Sequence, residues 1–203
     1  MNARLILASG SPIRRNLLEG AGLSLEVEPA NVDERALESE LEGQSPEHLA
    51  QALAVAKAVH VSKANPNAWI IGADQVLDHD GGVIHKAPSS EAAAKKLQRL
   101  QGSVHHLTSA AALVKNGQTL WSGHDRAALT MRPLSTETIE AYLAKAGDAA
   151  TQSVGAYQLE ELGAALFERI DGDYFTILGL PLLPLLAALR DQDIDPIDTG
   201  GQP

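Results

Sequence analysis

Two arginines and a group of free backbone N–H donors come together near the start of the chain, in an arrangement suited to binding an anion. Residues 5–7 form a short apolar run typical of a buried strand, and the turn 9–11 follows it. Ser11, followed by proline, favours the start of a helix. The free N–H groups and dipole of that helix, with Arg14 and Arg15 in its first turn, favour a bound phosphate. The segment is not a Walker A loop, and a strand–turn–helix start without a ligand is also common.

Asp74 is the carboxylate best placed for acid–base chemistry. It follows residues 68–73, a strongly apolar run, so we expect it at the end of a buried strand, where α/β sheets usually carry their sites. Gly72 and Ala73 are small and leave room for a ligand. Burial would raise the pKa of the carboxyl toward that of a useful base, whereas a bound metal ion would keep it ionised. An aspartate at this point can also be a simple turn or cap residue.

Other charged residues can contribute to the binding of a metal ion or of a phosphate. Asp33 and Glu34 lie in a polar segment, which we predict to be a loop over 31–35. Such carboxylates bind Mg²⁺ or Mn²⁺ together with substrate phosphates, although most acidic loops are only solvated. Lys57 and Lys86 can add positive charge for a phosphate, although lysines of this kind are ordinarily surface residues.

Zinc binding and serine-nucleophile chemistry are not favoured. The chain has seven histidines and no cysteine, and the histidine spacing matches no zinc motif. His105 and His106 would point to opposite faces of a strand. Ser9 and Ser11 lack the Gly-x-Ser-x-Gly context of a nucleophile, so anion contact or helix capping suits them better.

The composition is that of a domain-sized chain with an aliphatic core. Of 203 residues, 44% are hydrophobic and only 3% aromatic, which suits helices packed on a sheet. The net charge of −10 argues against binding to nucleic acid polymers, whereas a small polyanion needs only a local group of cations. We find neither an apolar run of membrane-spanning length nor a signal-peptide pattern, so we expect a cytoplasmic protein without membrane association.

Strand and helix patterns alternate along the chain, with hairpin turns predicted at 80–82 and 116–117. Helices are predicted after Ser11, over 45–62 and 90–100, after Ser135 and over 180–190, and further strands at 23–27 and 164–170. The buried stripe predicted for the helix 45–62 is Leu49, Leu53, Ala56 and His60. We therefore expect one α/β domain over 1–190, a mixed twisted sheet flanked by helices, and a disordered polar tail over 191–203.

Taken together, these segments resemble the Maf family of nucleotide pyrophosphatases. Each matching segment is weak alone, but their order along nearly the whole chain is specific. The segments are 7–12 with Arg14 and Arg15, 32–34, 56–58, 71–74, 86–88, 155–157, 167–170 and 179–182.

The resemblance implies a fold related to the inosine triphosphate pyrophosphatases, a homodimer, and a house-cleaning role in the nucleotide pool. The implied reaction is hydrolysis of a nucleoside triphosphate to monophosphate and pyrophosphate with Mg²⁺ or Mn²⁺. By position, Asp74 would accept a proton, directly or through the metal, and Glu34 with Asp74 would hold that metal. The residues implied to hold the triphosphate are Ser9, Arg14, Arg15, Lys57 and Lys86.

Three positions bear on the choice of base. Ile13, Gln75 and Glu160 stand where the family branch that prefers dTTP and UTP has Arg, Thr and Gln. Gln75 and Glu160 look like the branch that acts on 7-methyl-GTP. A carboxylate at Glu160 can accept both N–H groups of the guanine edge, although a glutamate there can also simply face solvent.

One departure and one alternative function accompany the resemblance. Ala87 separates Lys86 from Pro88, where the commoner family pattern joins the lysine directly to the proline. The alternative is a nucleotide-binding regulator of cell division with little catalysis. Such a regulator would need the anion-binding residues but not Asp74.

Overall fold

The computed structural model describes residues 3–197 and has helices arranged about a mixed sheet. The strands are β1 (Leu5–Leu7), β2 (Leu25–Val27), β3 (Trp69–His79), β4 (Gly82–Ile84), β5 (Val104–Lys115), β6 (Gln118–Met131) and β7 (Phe167–Asp171). The helices are α1 (Pro12–Gly20), α2 (Glu34–Glu40), α3 (Pro46–Ser62), α4 (Ser90–Leu100), α5 (Thr136–Ala146), α6 (Ala149–Gln152), α7 (Tyr174–Ile177) and α8 (Leu182–Arg190), with a 3₁₀ helix at Leu162–Leu166.

The strand order is β2-β1-β3-β5-β6-β7, and β4 pairs with β3 beside this path. β1 is parallel to both β2 and β3, whereas the β3–β4 and β6–β7 pairs are antiparallel. The α/β class and the mixed sheet predicted from the sequence are confirmed.

The chain divides into two compact units. The first unit comprises residues up to Asp74, residues 109–125 and those from Gly179 onward. Its fully buried side chains include Leu18 of α1, Leu53 of α3 and Ile70 of β3. This unit contains β1, α1, α2 and α3, and therefore most of the candidate site residues.

The second unit comprises residues 75–108 and 126–178. Its core contains Leu77 from β3, Leu97 from α4, Leu129 from β6 and Ile139 from α5. Tyr142 and Tyr157 are the aromatic members of this cluster, and its other members are aliphatic, as the composition predicted.

Both predicted hairpin turns are present. Asp80 and Asn116 have φ angles of 52° and 51°, and the glycine that follows each also has a positive φ. Successive left-handed residues match the right-handed twist of the strands they join, which explains the Asp-Gly and Asn-Gly sequences.

Several elements differ from the sequence-based expectation. Residues 31–35 are not only a loop, because α2 begins at Glu34 with Asp33 as its N-cap. The predicted strand 164–170 begins as the 3₁₀ helix and becomes β7 only at Phe167. The short helix α7 was not predicted.

The buried face of α3 is also rotated from the prediction. His60 is exposed and Ala56 half-buried, whereas Lys57 is buried with the apolar side chains. Of the tail predicted at 191–203, residues up to Ile197 are described and Ile194 is buried, while 198–203 lie outside the described residues. Among the described helices, none combines the length and the apolar composition needed to cross a membrane.

Candidate active site

Ser9 and Arg14 are held together at the start of α1. Ser11 caps this helix by accepting from the Arg14 backbone N–H at 3.4 Å, and its own N–H donates to the Ser9 hydroxyl at 3.3 Å. The Arg14 guanidinium donates from Nη1 to the same Ser9 oxygen at 3.1 Å. The turn, the cap and one cation therefore meet at the point where the sequence predicted an anion.

The guanidinium of Arg14 is further fixed by backbone carbonyls from distant parts of the first unit. Nε donates to Gly179 O at 2.8 Å, and Nη1 donates to Ala73 O at 3.0 Å. Burial lowers the pKa of Arg14, and the charges of Asp74 and Glu34 oppose that shift. A cation held by neutral carbonyls keeps its charge available to a phosphate.

Gly72 lets α3 lie directly against β3. A Cβ atom at this position would lie 2.0 Å from Ala54 O and 2.8 Å from the Ala58 methyl group. Only glycine permits this approach, since real Cβ atoms do not come so close. Lys57 lies within the same turn of α3, so the close packing brings its side chain to the strand.

Lys57 bridges two carboxylates. Its ammonium lies 2.5 Å from Asp74 Oδ1 and 2.8 Å from Glu34 Oε1. The Lys57 and Asp74 side chains are both only 11% exposed, whereas the Glu34 side chain is 48% exposed. The arrangement places two acidic oxygens around one buried cation, with one side open to solvent.

Asp74 lies inside β3 and not at its end. The strand continues five residues further to His79, so the predicted strand-end location was wrong. Its side chain shares a strand face with Gly72, because residues two apart point to the same side. That alternation, and not the end of the strand, directs the carboxylate toward Lys57.

The first turn of α2 positions Glu34. Asp33 accepts from the Ala36 N–H at 3.0 Å, so its carboxylate caps the helix. Glu34 is the first helical residue and points its carboxylate at Lys57.

The other predicted residues have different surroundings. Arg15 is exposed and pairs with Glu19 at 2.8 Å along the same helix. Ile13 is half-buried in the first turn of α1. The first unit therefore brings together Ser9, Arg14, Lys57, Asp74 and Glu34, and leaves Arg15 on its surface.

The remaining predicted residues belong to the second unit. Gln75 donates from its amide to Thr176 O at 3.2 Å and to Ile177 O at 2.9 Å. Lys86 is exposed in the irregular segment that follows β4. Glu160 is exposed in the segment that precedes the 3₁₀ helix.

Glu34 and Asp74 fit a hard divalent cation. Their oxygens converge on one point, now taken by the Lys57 ammonium, and Mg²⁺ is usually held by one or two carboxylates plus substrate phosphates. Over residues 3–197 no group of three or more His, Asp or Glu side chains forms a metal cluster. The protein donors thus suit a metal whose other ligands come from the substrate and water.

The sequence did not predict the burial of several polar side chains of the second unit. Among them, Lys96 is 9% exposed on α4, and His105 is fully buried on β5. A signal was available for Lys96, which stands three residues after Ala93 and four before Leu100 on the apolar stripe of its helix.

The chain is similar to known proteins over nearly its whole length. The chain matches the model of the Maf-like protein family over residues 4–192. A 7-methyl-GTP pyrophosphatase from Rhizobium johnstonii is 52% identical over 193 residues, which cover 94% of this chain and 97% of that protein. A nucleoside triphosphate pyrophosphatase from Nitrobacter hamburgensis is 50% identical over 190 residues, covering 94% of each.

A solved structure also aligns with the chain. It is a nucleoside-triphosphatase / dITP/XTP pyrophosphatase from Mycobacterium abscessus, with a TM-score of 0.41 and 19% identity over 64% of this chain and 75% of that one. The match to the family model and the relatives of about 50% identity cover nearly all of the chain. The chain belongs to the Maf-like protein family.

Proposed function

We propose that this protein hydrolyses a nucleoside triphosphate to the monophosphate and pyrophosphate, as a house-cleaning enzyme of the nucleotide pool. The observation that carries the proposal is the buried Asp74 beside Lys57, with Glu34 on the same ammonium. The names of the half-identical relatives, which are pyrophosphatases, support the same reaction class.

The proposed phosphate contacts use the cations already described. Ser9 and Arg14 offer a hydroxyl and a guanidinium at the N-terminus of α1, and Lys57 offers a buried ammonium. Arg15 and Lys86, both exposed, are proposed as further phosphate ligands. In a protein of net charge −10, such local cations are needed to attract a triphosphate.

The proposed chemical step is attack of water on the α-phosphorus. Asp74 accepts a proton from the water as the new P–O bond forms, and the bond to the bridging oxygen breaks. That oxygen leaves with the pyrophosphate, and the neighbouring cations stabilise the charge that develops on it.

We further propose a divalent cation, Mg²⁺ or Mn²⁺, held by Glu34 and Asp74. When bound, such an ion would neutralise phosphate charge and polarise the oxygens that it contacts. Lys57 would keep the two carboxylates from repelling each other before the substrate arrives.

Guanine-type, methylated triphosphates are the proposed preferred substrates. Glu160 can accept both N–H groups on the guanine edge, and a cationic 7-methylated ring adds attraction to the carboxylate. Thymine and uracil present carbonyl oxygens instead, which a carboxylate repels. Ile13 and Gln75 are proposed as the other residues that set this preference.

Homodimer formation and a cytoplasmic location complete the proposal, both on the basis of the family resemblance and the sequence. A dimer predicts twice the 21.4 kDa chain mass in light scattering at micromolar concentration. A monomer at that concentration would contradict it.

The function is tested by incubating the purified protein with Mg²⁺ and a panel of canonical and modified nucleoside triphosphates. Pyrophosphate and monophosphate are expected in equal amounts. A folded protein that binds nucleotides but releases no pyrophosphate above the blank would favour the alternative, a nucleotide-binding regulator.

A further inference from the structure

Lys96 is a buried lysine without a carboxylate partner in the part of the chain that the structure describes. It is 9% exposed and lies among Ala93, Leu97 and Leu100 on the inner face of α4. Its ammonium donates to two backbone carbonyls, His85 O in a short hydrogen bond and Val154 O at 2.7 Å. Lysine is almost never buried unless it is paired, so these two bonds need an explanation.

The charge of Lys96 is costly in this environment. Burial lowers the pKa of its ammonium to about 8, because only carbonyl dipoles compensate for the lost hydration. A leucine or methionine on this stripe would bury as much surface without that cost. What lysine adds is a link between two segments that are 69 residues apart in sequence, between His85 and Val154.

Each linked carbonyl directly precedes a segment with a proposed substrate contact. His85 is followed by Lys86, which lies in an irregular stretch between β4 and α4. Val154 is followed by the turn at Ala156, where φ is +63°, and then by the segment that leads to Glu160.

The second of these segments is held firmly at several points. Tyr142 donates from its hydroxyl to Ala156 O at 3.2 Å, and the Tyr157 hydroxyl lies 2.6 Å from His105 Nε2. The bonds from Lys96 therefore connect the Lys86 segment to a segment that two buried tyrosines hold by hydrogen bonds.

We propose that Lys96 is a positioning residue that fixes the Lys86 segment against the segment that leads to Glu160. Lys86 then presents its ammonium to the triphosphate from a defined backbone position. The inference rests on the proposed function, since it assigns Lys96 a role in holding that substrate through Lys86.

The test compares Lys96→Met with Lys95→Met, which removes the same charge from an exposed position one residue away on α4. We expect Lys96→Met to raise KM for the triphosphate by roughly tenfold, about the effect of losing one charged hydrogen bond, with little change in kcat. Lys95→Met is expected to leave KM unchanged. Lys96→Gln keeps two N–H donors, so its KM should lie between those of the wild-type protein and Lys96→Met. If Lys96→Met does not fold, Lys96→Gln takes its place in the comparison.

A double-mutant cycle separates positioning from simple support of the fold. If Lys96 acts through Lys86, adding Lys96→Met to Lys86→Ala should raise KM little beyond the effect of Lys86→Ala alone. Fully additive effects, or a KM that does not change in Lys96→Met, would overturn the proposal.

A second measurement does not depend on turnover. Hydrogen exchange of peptides covering 84–88 and 153–158 should speed up in Lys96→Met and not in Lys95→Met. If the wild-type protein releases no pyrophosphate, the proposed function fails, and the exchange result still decides whether Lys96 joins the two segments. Unchanged exchange in both peptides would show that it does not.

Discussion

Lys57 and Asp74 form a buried ion pair, with the ammonium 2.5 Å from Oδ1 and both side chains 11% exposed. The pair exists because glycine at position 72 allows α3 to lie on β3. It is the least exposed ion pair of the candidate site. Lys57 is proposed to bind phosphate, and Asp74 is proposed to accept a proton.

Replacing Lys57 with methionine should destabilise the fold. The change leaves Asp74 buried without its cation, and breaking one side of a buried pair costs about 3 kcal/mol. Urea unfolding at pH 7 measures the loss. Lys63→Met, at an exposed position at the end of the same helix, should change the unfolding free energy by less than about 0.5 kcal/mol. Equal losses in the two variants would mean that the pair contributes no special stability.

Asp74→Asn should separate binding from chemistry. The amide keeps the shape of the side chain but cannot accept the proton from water, so kcat should fall by roughly two to four powers of ten. Nucleotide affinity, measured by calorimetry, should persist. Asp80→Asn is the matched control, because Asp80 is exposed in the β3–β4 turn and asparagine tolerates its positive φ. Normal turnover in Asp74→Asn would exclude Asp74 as the base.

Gly72→Ala tests the approach of α3 to β3. The added methyl group would meet Ala54 O at 2.0 Å, so helix and strand must separate, at a cost of about 1–3 kcal/mol or more. Gly20→Ala is the control, since nothing lies within 4 Å of a Cβ there. It should be neutral or slightly stabilising. The melting temperatures of both variants check the prediction, and equal values would show that the contact can relax freely.

Glu160→Gln should weaken the preference for guanine-type triphosphates. The amide loses one charged acceptor for the guanine N–H groups, which corresponds to about 1–3 kcal/mol of discrimination. The measurement is kcat/KM for 7-methyl-GTP and dTTP in both proteins. Glu161→Gln, an exposed neighbour, is the control and should leave the ratio unchanged. If the unmodified protein uses dTTP as well as 7-methyl-GTP, the proposed base contact is wrong.

His105 should make the fold sensitive to mild acid. Burial, assisted by His79 and His106, lowers its pKa to about 4, whereas the unfolded chain binds that proton near pH 6.5. Between these values the unfolded state binds more protons, so stability falls as the pH drops from 6.5 through 4. The full effect is at most on the order of 3 kcal/mol.

Denaturant unfolding at several pH values between 4 and 7 measures this effect. His105→Asn should flatten the slope relative to the wild-type protein, whereas His124→Asn, at an exposed position on β6, should not. Identical slopes in all three proteins would mean that His105 does not carry the pH dependence.

The sequence predicted the fold class and most helices because their signals are local. Ser45 and Ser135 accept from backbone N–H groups at 3.2 Å, as their capping positions required, and the Asn116-Gly117 turn follows from backbone preferences alone. Helix α2 was missed because none of its residues is buried, so it has no apolar stripe. Only its N-cap, Asp33, marks it in the sequence.

The geometry of the site depended on packing that no local pattern contains. Asp74 was predicted at a strand end because the apolar run stops there, yet β3 continues through Asp78, whose charge is compensated by Arg126 at 2.9 Å. Lys57 was not among the residues predicted for the buried stripe of α3, and its burial became evident only with Asp74 opposite it. A charge is tolerated inside a fold when its partner comes from another element, which sequence periodicity cannot indicate.

The bond from Arg14 to the carbonyl of Gly179 determines how late in synthesis the hydrogen bonds of Arg14 can be completed. The two residues are 165 positions apart, and a ribosome releases the chain from its N-terminal end. The turn proposed to bind phosphate is among the first segments to emerge, but the Arg14 guanidinium gains this carbonyl only after nearly the whole chain has been synthesised. A nascent chain that stops before residue 179 would therefore carry every proposed catalytic side chain, with Arg14 held by Ser9 and Ala73 O but without the bond from its Nε.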